Sequence, residues 1–516
     1  MARWAVAHGD LLPAIDHACR SGDPDLVVDL VGRWGLALVL GGSGQALARL
    51  LRRTPLEVRS EPAVALVAAA GALDAEDVAA ADDALAPVPP AAAPRADPAL
   101  AATVALQRAH LLGTTAAELE VLEGTDAGAS GRPELDLLAT AGRGLARLKL
   151  GRLDAAEADL RRAAAGTAAA GYDQLALHCL AALAGVAASR DDAPEMGSRA
   201  AAALAFTAAR GWERSPRCAF AHVIAGSAAY QRLDTPTARR HARAVVDLLD
   251  GTVEPSLRFA GLVLESALAF DAGEEPPARY RQVQRGWPAG DVGLPPVLVA
   301  HAGLEQQRMA LALGEPAWTH EAVDRVEQRL GAGGELQYLR ASLEAHRGRV
   351  PAARRLLADV CDGAVPAEAG RTVVEALVLD AVLADDSGDA DAAHRRLTRA
   401  LASAEGRQTV RYLTLAGRPV QELLIRDAGR FGRQEAFAAQ VLRAFPRAPA
   451  AQGSRLTERE RAILVELPSL RTAEEIAERQ FVSVNTVKTH IRAIYRKLGV
   501  GSRRDALAAA RARGLL

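Results

Sequence analysis

Apolar residues recur along this chain at spacings of three and four, the period of a helix with one buried face. The pattern is sharpest near the C-terminus, where Val487, Ile491, Ile494 and Leu498 fall within about 60° of one another on a helical wheel. Asn485, Lys488, Thr489, Arg492 and Arg496 occupy the opposite side, and no acid stands among them. Helix starts frame this stripe. Thr457 with Glu460, Thr472 with Glu475 and Ser502 with Asp505 have the hydroxyl-x-x-acid spacing in which side chain and backbone cap each other. Ser483 lacks the acid but has Val482 and Val487 placed as a hydrophobic staple. The expected helices are 458–467, 473–480, 484–498 and 503–512, with Gly499 where a left-handed C-terminal cap is wanted.

Upstream, the pattern repeats in a looser form. Gly151 to Ala156, Gly348 to Ala353 and Gly388 to Ala393 each place Gly at a turn and Ala five residues later. Apolar residues follow at Leu160 and Ala163, Leu357 and Val360, and Leu397 and Ala400, the inner stripe of a second helix; earlier copies start at Gly9 and Gly22. This resembles the second half of a tetratricopeptide repeat with irregular spacing. The expected fold is therefore all-α: a degenerate helical-repeat superhelix followed by a four-helix C-terminal domain. Such a stack leaves a concave surface for a ligand or a protein. Aromatics make up only 4% of the chain and apolar residues 50%, which favours close-packed helices over sheets. Two Pro- or Gly-rich interruptions, 86–98 and 124–133, divide the body. The regions read as 1–85, N-terminal helices; 99–445, helical repeats; 446–454, a Pro/Gly/Ala linker; and 455–516, the C-terminal domain.

Charge supports that division. Residues 454–516 carry thirteen Lys and Arg against seven Asp and Glu, a net of +6, while the whole chain sums to −1. A basic module on an acidic body points to nucleic acid at one end. A basic, hydrogen-bonding helix face suits the major groove, which admits a helix and presents acceptors to Arg and Lys.

Family resemblance enters through the segments Leu456-Thr-Glu-Arg-Glu460, Glu475-Ile-Ala-Glu-Arg479, Phe481-Val-Ser-Val-Asn-Thr-Val-Lys-Thr-His490 and Ile494-Tyr-Arg-Lys-Leu-Gly-Val500. Together they resemble the LuxR-type helix-turn-helix domain over its whole length. The resemblance implies a transcription regulator whose third helix enters the major groove of double-stranded DNA. By position, Lys488, Thr489 and Arg492 meet base edges, and Ser483, Asn485, Thr486 and Arg496 complete the DNA-binding set. It also implies a homodimer on DNA, with the contact on the fourth helix at Ala506, Leu507 and Ala510. Leu470 stands where many members have Gly, and Glu474 where many have a phosphate-contacting Lys. The stretch Leu467 to Ile476 resembles the subclass found in MalT-like large ATP-binding LuxR regulators, as does Arg3 to Ala18, which resembles the helices after their ATPase module.

No phosphate-binding Gly-x-x-x-x-Gly-Lys-Ser/Thr occurs, and the lysines are Lys149, Lys488 and Lys497. The expectation is a chain without the ATPase module and without a cofactor, with Leu40 to Gln45 a helix-connecting loop. Cys19, Cys179, Cys218 and Cys361 are read as buried thiols, and His17, His178, His222, His241 and His394 as structural or surface residues. The acidic pairs Asp82-Asp83, Asp191-Asp192 and Asp385-Asp386 fall near turns and are assigned to solvent. No catalytic constellation, membrane-length apolar run or leader is read. The expectation is a cytoplasmic, non-enzymatic regulator whose body senses a ligand or protein partner, with RNA polymerase as a further partner. The alternatives are a tetratricopeptide-like assembly scaffold with secondary DNA binding, and an ATP-driven switch completed by an upstream module.

Overall fold

The computed structural model describes residues 10–125, 130–249, 254–290, 292–445, 456–467, 472–480, 482, 484–498, 500, 503–512 and 515–516. The chain forms two compact units, 1–442 and 443–516. The expected linker 446–454 lies outside the described residues.

The first unit is a run of consecutive helix pairs, and the two members of a pair differ in composition for a physical reason. First members, such as Pro133–Lys149, Asp173–Ser189, Ala219–Gln231, Pro255–Asp271, Pro296–Leu313, Gly334–His346 and Gly370–Asp386, each also contact the next first member and so form a continuous inner layer. Burial from several sides makes them apolar almost all round: Asp173–Ser189 buries Leu175, Leu177, Cys179, Leu183, Val186 and five alanines. Second members bury one stripe only, as in Val350–Cys361, where Ala353, Leu357 and Val360 face inward. Proline opens many of these helices, at Pro24, Pro62, Pro98, Pro133, Pro255, Pro296 and Pro316, where its missing N–H costs nothing.

The turn between pair members has a simple grammar. One residue adopts positive φ, and in several repeats an Asp that follows it caps the next helix. Gly388 (φ 81°) does this where the sequence analysis places it, and Asp389 accepts from the Ala392 amide at 3.0 Å. The same turn recurs without glycine at Glu76-Asp77, Asp191-Asp192 and Leu233-Asp234, whose second residues accept from Ala80, Glu195 and Thr237. A left-handed non-glycine residue costs about 1–2 kcal/mol, so packing and the Asp cap must offset it.

The N-terminal region and the first repeats share one core, running from Ile15 through Leu51, Leu66 and Leu100 to Leu160 and Val186. Between the two regions, Ala92–Ala96 is a short helix inside the Pro/Ala interruption. The Gly-rich segment 40–45 connects two helices, as expected: Pro24–Leu38 passes to Gly44–Leu51 through a wide turn, Val39–Ser43, in which Gly42 (φ 84°) leaves the helical path. Two expectations need correction. The resulting stretch 24–51 has the length and apolar composition of a membrane span, whereas no such run was expected. In the fold Val31, Val39, Leu47 and Leu51 bury their side chains in the shared core.

The second correction concerns Asp191, which is fully buried rather than solvated. Its carboxylate accepts from the Arg371 amide at 2.7 Å and meets His301 Nε2 at 3.2 Å and Gln231 Nε2 at 3.3 Å. Arg371, itself 2% exposed, reaches Glu305 at 2.7 Å and Glu375 at 2.6 Å and lies over the Tyr412 ring. Glu305 also takes Arg308 at 2.7 Å; Arg308 meets Asp271, which binds Arg411 at 2.5 Å. Burial opposes the charged form of Asp191, but His301 and Arg371 outweigh it and hold the carboxyl below the usual range; at Glu305 burial is likewise outweighed, by Arg308, Arg371 and Arg411.

Removing one partner of such a group leaves charge buried and unpaired, which costs about 3–5 kcal/mol. Arg371→Met is therefore expected to lower the calorimetric melting temperature of the first unit sharply. The depressed carboxyls of Asp191 and Glu305 contribute their stability fully above about pH 4.5 and lose it as pH falls through their folded values. Melting temperature in the unaltered protein should begin to fall below about pH 6.5, where the unfolded chain protonates His110 and His178 that the fold keeps neutral, and fall more steeply below about pH 4.5; the steeper part should shrink in Arg371→Met.

Candidate nucleic-acid interface

Among its described residues the C-terminal unit contains four helices, Glu458–Glu466, Ala473–Arg479, Val484–Leu498 and Arg503–Ala512, within a residue of those expected. Two reciprocal caps fix the first pair. Thr457 accepts from the Glu460 amide at 3.2 Å while Glu460 accepts from the Thr457 amide at 2.7 Å, and Thr472 and Glu475 repeat the arrangement at 3.3 and 2.8 Å. Ser483, Gly499 and Ser502, expected to mark the other helix ends, lie outside the described residues.

Glu460 does more than cap. Its carboxylate, 5% exposed, also binds Lys497 Nζ at 2.5 Å, tying the start of the first helix to the end of the third. Arg459 donates to the Gln480 carbonyl at 2.7 Å, which holds the end of the second helix, and Arg503 donates to the Leu467 carbonyl at 2.7 Å. The core between these ties contains Ile463, Leu464, Ile476, Val487, Ile494 and Leu498, with Ile491 half-buried at its edge. Packing of that stripe turns the other side of Val484–Leu498 outward. Lys488, Thr489 and Arg492 are exposed there, and Thr486 is half-buried. Asn485 and Arg496 sit in the same helix, but their side chains lie outside the described residues.

One charged group near this face was not legible from the third helix alone. Glu474, in the first turn of the second helix, is held below the usual carboxylate range by its own backbone amide and by Thr472, with the Lys488 charge adding to the effect. Lys488 thus has an acid in its field. It comes from a neighbouring element, so the wheel of the third helix could not reveal it.

The fourth helix requires a correction. Ala506 and Ala510, expected at a dimer contact, are fully buried in the domain's own core with Ile463 and Leu498. Their spacing is that of an inward stripe, and in so small a domain that stripe is needed to close the core. Leu507, half-buried beside them, keeps some surface.

The cap on Glu460 yields a test. Burial raises its pKa, but bonds from Lys497 and Thr457 outweigh burial and lower it. Its contribution is present above about pH 4.5 and lost as pH falls through the folded value. Glu460→Gln should destabilise the domain by about 1–3 kcal/mol at pH 7 and by much less near pH 3, read from urea unfolding at both values.

No curated protein matches the chain significantly. Among solved structures, a "circular tandem repeat protein with novel repeat topology and enhanced subunit contact surfaces" is similar at 13% identity over 86% of this chain and 97% of that one, with a TM-score of 0.13. Residues 454–510 match the family described as bacterial regulatory proteins, luxR family, so the chain carries a luxR-family helix-turn-helix domain at its C-terminal end.

Proposed function

We propose that the chain is a bacterial one-component transcription regulator: residues 455–516 read double-stranded DNA, and the helical-repeat body receives a ligand or protein partner that controls the reading. The observation that carries this is the exposed Lys488, Thr489 and Arg492 face of Val484–Leu498, opposite a stripe locked into the core. Lys and Arg one helical turn apart match the O6 and N7 acceptors of guanine in the major groove. Arg496, a further turn toward the C-terminus, suits a phosphate, and by sequence position Ser483, Asn485 and Thr486 complete the DNA-binding set. Two copies would engage paired half-sites, with Leu507 supplying apolar surface between them. The reading is of a cytoplasmic, non-enzymatic regulator allied to the MalT-like group, with RNA polymerase as its downstream partner.

The test begins with a site selected from random duplexes by the intact chain. Lys488→Ala or Arg492→Ala should cost about 1–3 kcal/mol on that site and much less on random DNA. Arg496→Ala should weaken both equally and reduce the salt dependence by about one ion. Sedimentation on a duplex with two half-sites about 34–36 Å apart should give two chains per duplex. An unchanged ratio of specific to random affinity in the Lys488 and Arg492 variants would remove the base-reading role from this helix.

A further inference from the structure

Inside the first unit, the inner helix layer encloses a cavity of about 320 Å³, within the size range of small-molecule sites. Its wall is largely apolar, with Leu106, Leu145, Leu148, Phe220, Ile224 and Val263 among the contributors. Five buried polar atoms on its lining residues have no hydrogen-bond partner among the described residues: Gln107 Oε1, His110 Nδ1, Ser256 Oγ, Gln231 Oε1 and Arg371 Nη2. A buried polar atom without a partner is destabilising, so five around one cavity call for an explanation.

The charges at the cavity are already answered. Lys149 Nζ pairs with Glu254 at 2.8 Å and donates to the His110 carbonyl at 2.9 Å. Arg217 pairs with Asp74 at 3.0 Å, and the Arg371 charge is matched by Glu305 and Glu375. Burial, with Lys149 nearby, pushes His110 down to about 4; burial, with His110 and Arg217 nearby, pushes His178 to about 3, so both rings are neutral at pH 7. A charged guest would enter an apolar space with no counter-ion free to receive it.

We infer that this cavity binds an uncharged, largely apolar small molecule that presents hydroxyl or amide donors to Gln107 and Gln231 and a carbonyl acceptor to Arg371. The inference rests on the effector-receiving role proposed for the body and gives that effector a chemical class. Acceptor oxygens at Gln107 and Gln231 require donors from the guest, the Arg371 nitrogen requires an acceptor, and His110 and Ser256 can serve either part.

The probe is N-phenyl-1-naphthylamine, uncharged and apolar with one N–H donor, added to the intact chain and followed by fluorescence. Saturable binding near one probe per chain is expected, with 1-anilinonaphthalene-8-sulfonate, the same ring system made anionic, at least tenfold weaker. Ala260→Trp and Ser227→Leu, both on the cavity wall, should each weaken the uncharged probe at least tenfold with helical circular dichroism retained. If Ala260→Trp does not fold, the smaller Ser227→Leu decides. No saturable binding, equal or tighter binding of the anionic probe, or unchanged affinity in the folded wall variant would each overturn the inference. DNA titrations on the same samples separate the two readings. Probe binding without DNA binding leaves the cavity standing and removes the proposed function; DNA binding without probe binding does the reverse.

Discussion

Arg371 carries a full charge at 2% exposure, and the helical-repeat body is built around the need to satisfy it. Its backbone amide and guanidinium reach Asp191, Glu305 and Glu375, and the group extends through Arg308, Asp271 and Arg411. The group draws on Pro255–Asp271, Pro296–Leu313, Gly370–Asp386, Arg411–Thr414 and the turn after Asp173–Ser189; Asp191 and Arg371 are 180 positions apart in the chain. A stack of helical repeats is held mainly by contacts between neighbours, so links of this reach are unusual for the architecture. Well-packed apolar side chains could supply comparable stability, but ion pairs penalise any packing that leaves a member unpaired. On this account the cluster selects one register of the inner helices. The cavity follows from that register, because Arg371, Glu305, Gln231 and Tyr412 belong both to the cluster or its neighbours and to the cavity wall.

The C-terminal domain is organised in the opposite way. Its determinants are local: reciprocal Thr–Glu caps, one narrow apolar stripe and short polar ties such as Glu460 to Lys497. A small domain gains little from burial, so each cap is a large share of its stability. Packing of the third helix against this core fixes the backbone from which the exposed Lys488 and Arg492 project.

This difference decides what could be read from the sequence. Helices 458–466, 473–479, 484–498 and 503–512 were legible because capping and periodicity act over three to seven residues. Gly388 and Gly151 announced their turns for the same reason. Leu233 and Asp191 adopt the same backbone without the glycine that signals it, so their repeats were hidden. Asp191 looked solvated because its partners lie far along the chain, and burial of a charge is a property of the fold rather than of neighbouring residues. Lys149, a lone lysine between Leu148 and Leu150, is a local sign that an inner helix carries buried charge. Ala506 and Ala510 were misplaced because an apolar stripe records that a face is covered without saying by what.

Hydrogen exchange on the intact chain tests the central claim most directly, because amide protection reports local opening helix by helix. If the buried cluster fixes the register of the inner layer, amides in Pro296–Leu313 and Gly370–Asp386 should be among the slowest to exchange. In Arg371→Met, protection should fall together in those helices and in Asp173–Ser189, far apart in sequence, while Ala473–Arg479 stays unchanged. Loss of protection confined to the residues around Arg371 would contradict the account, since the repeats would then hold their register by neighbour contacts alone.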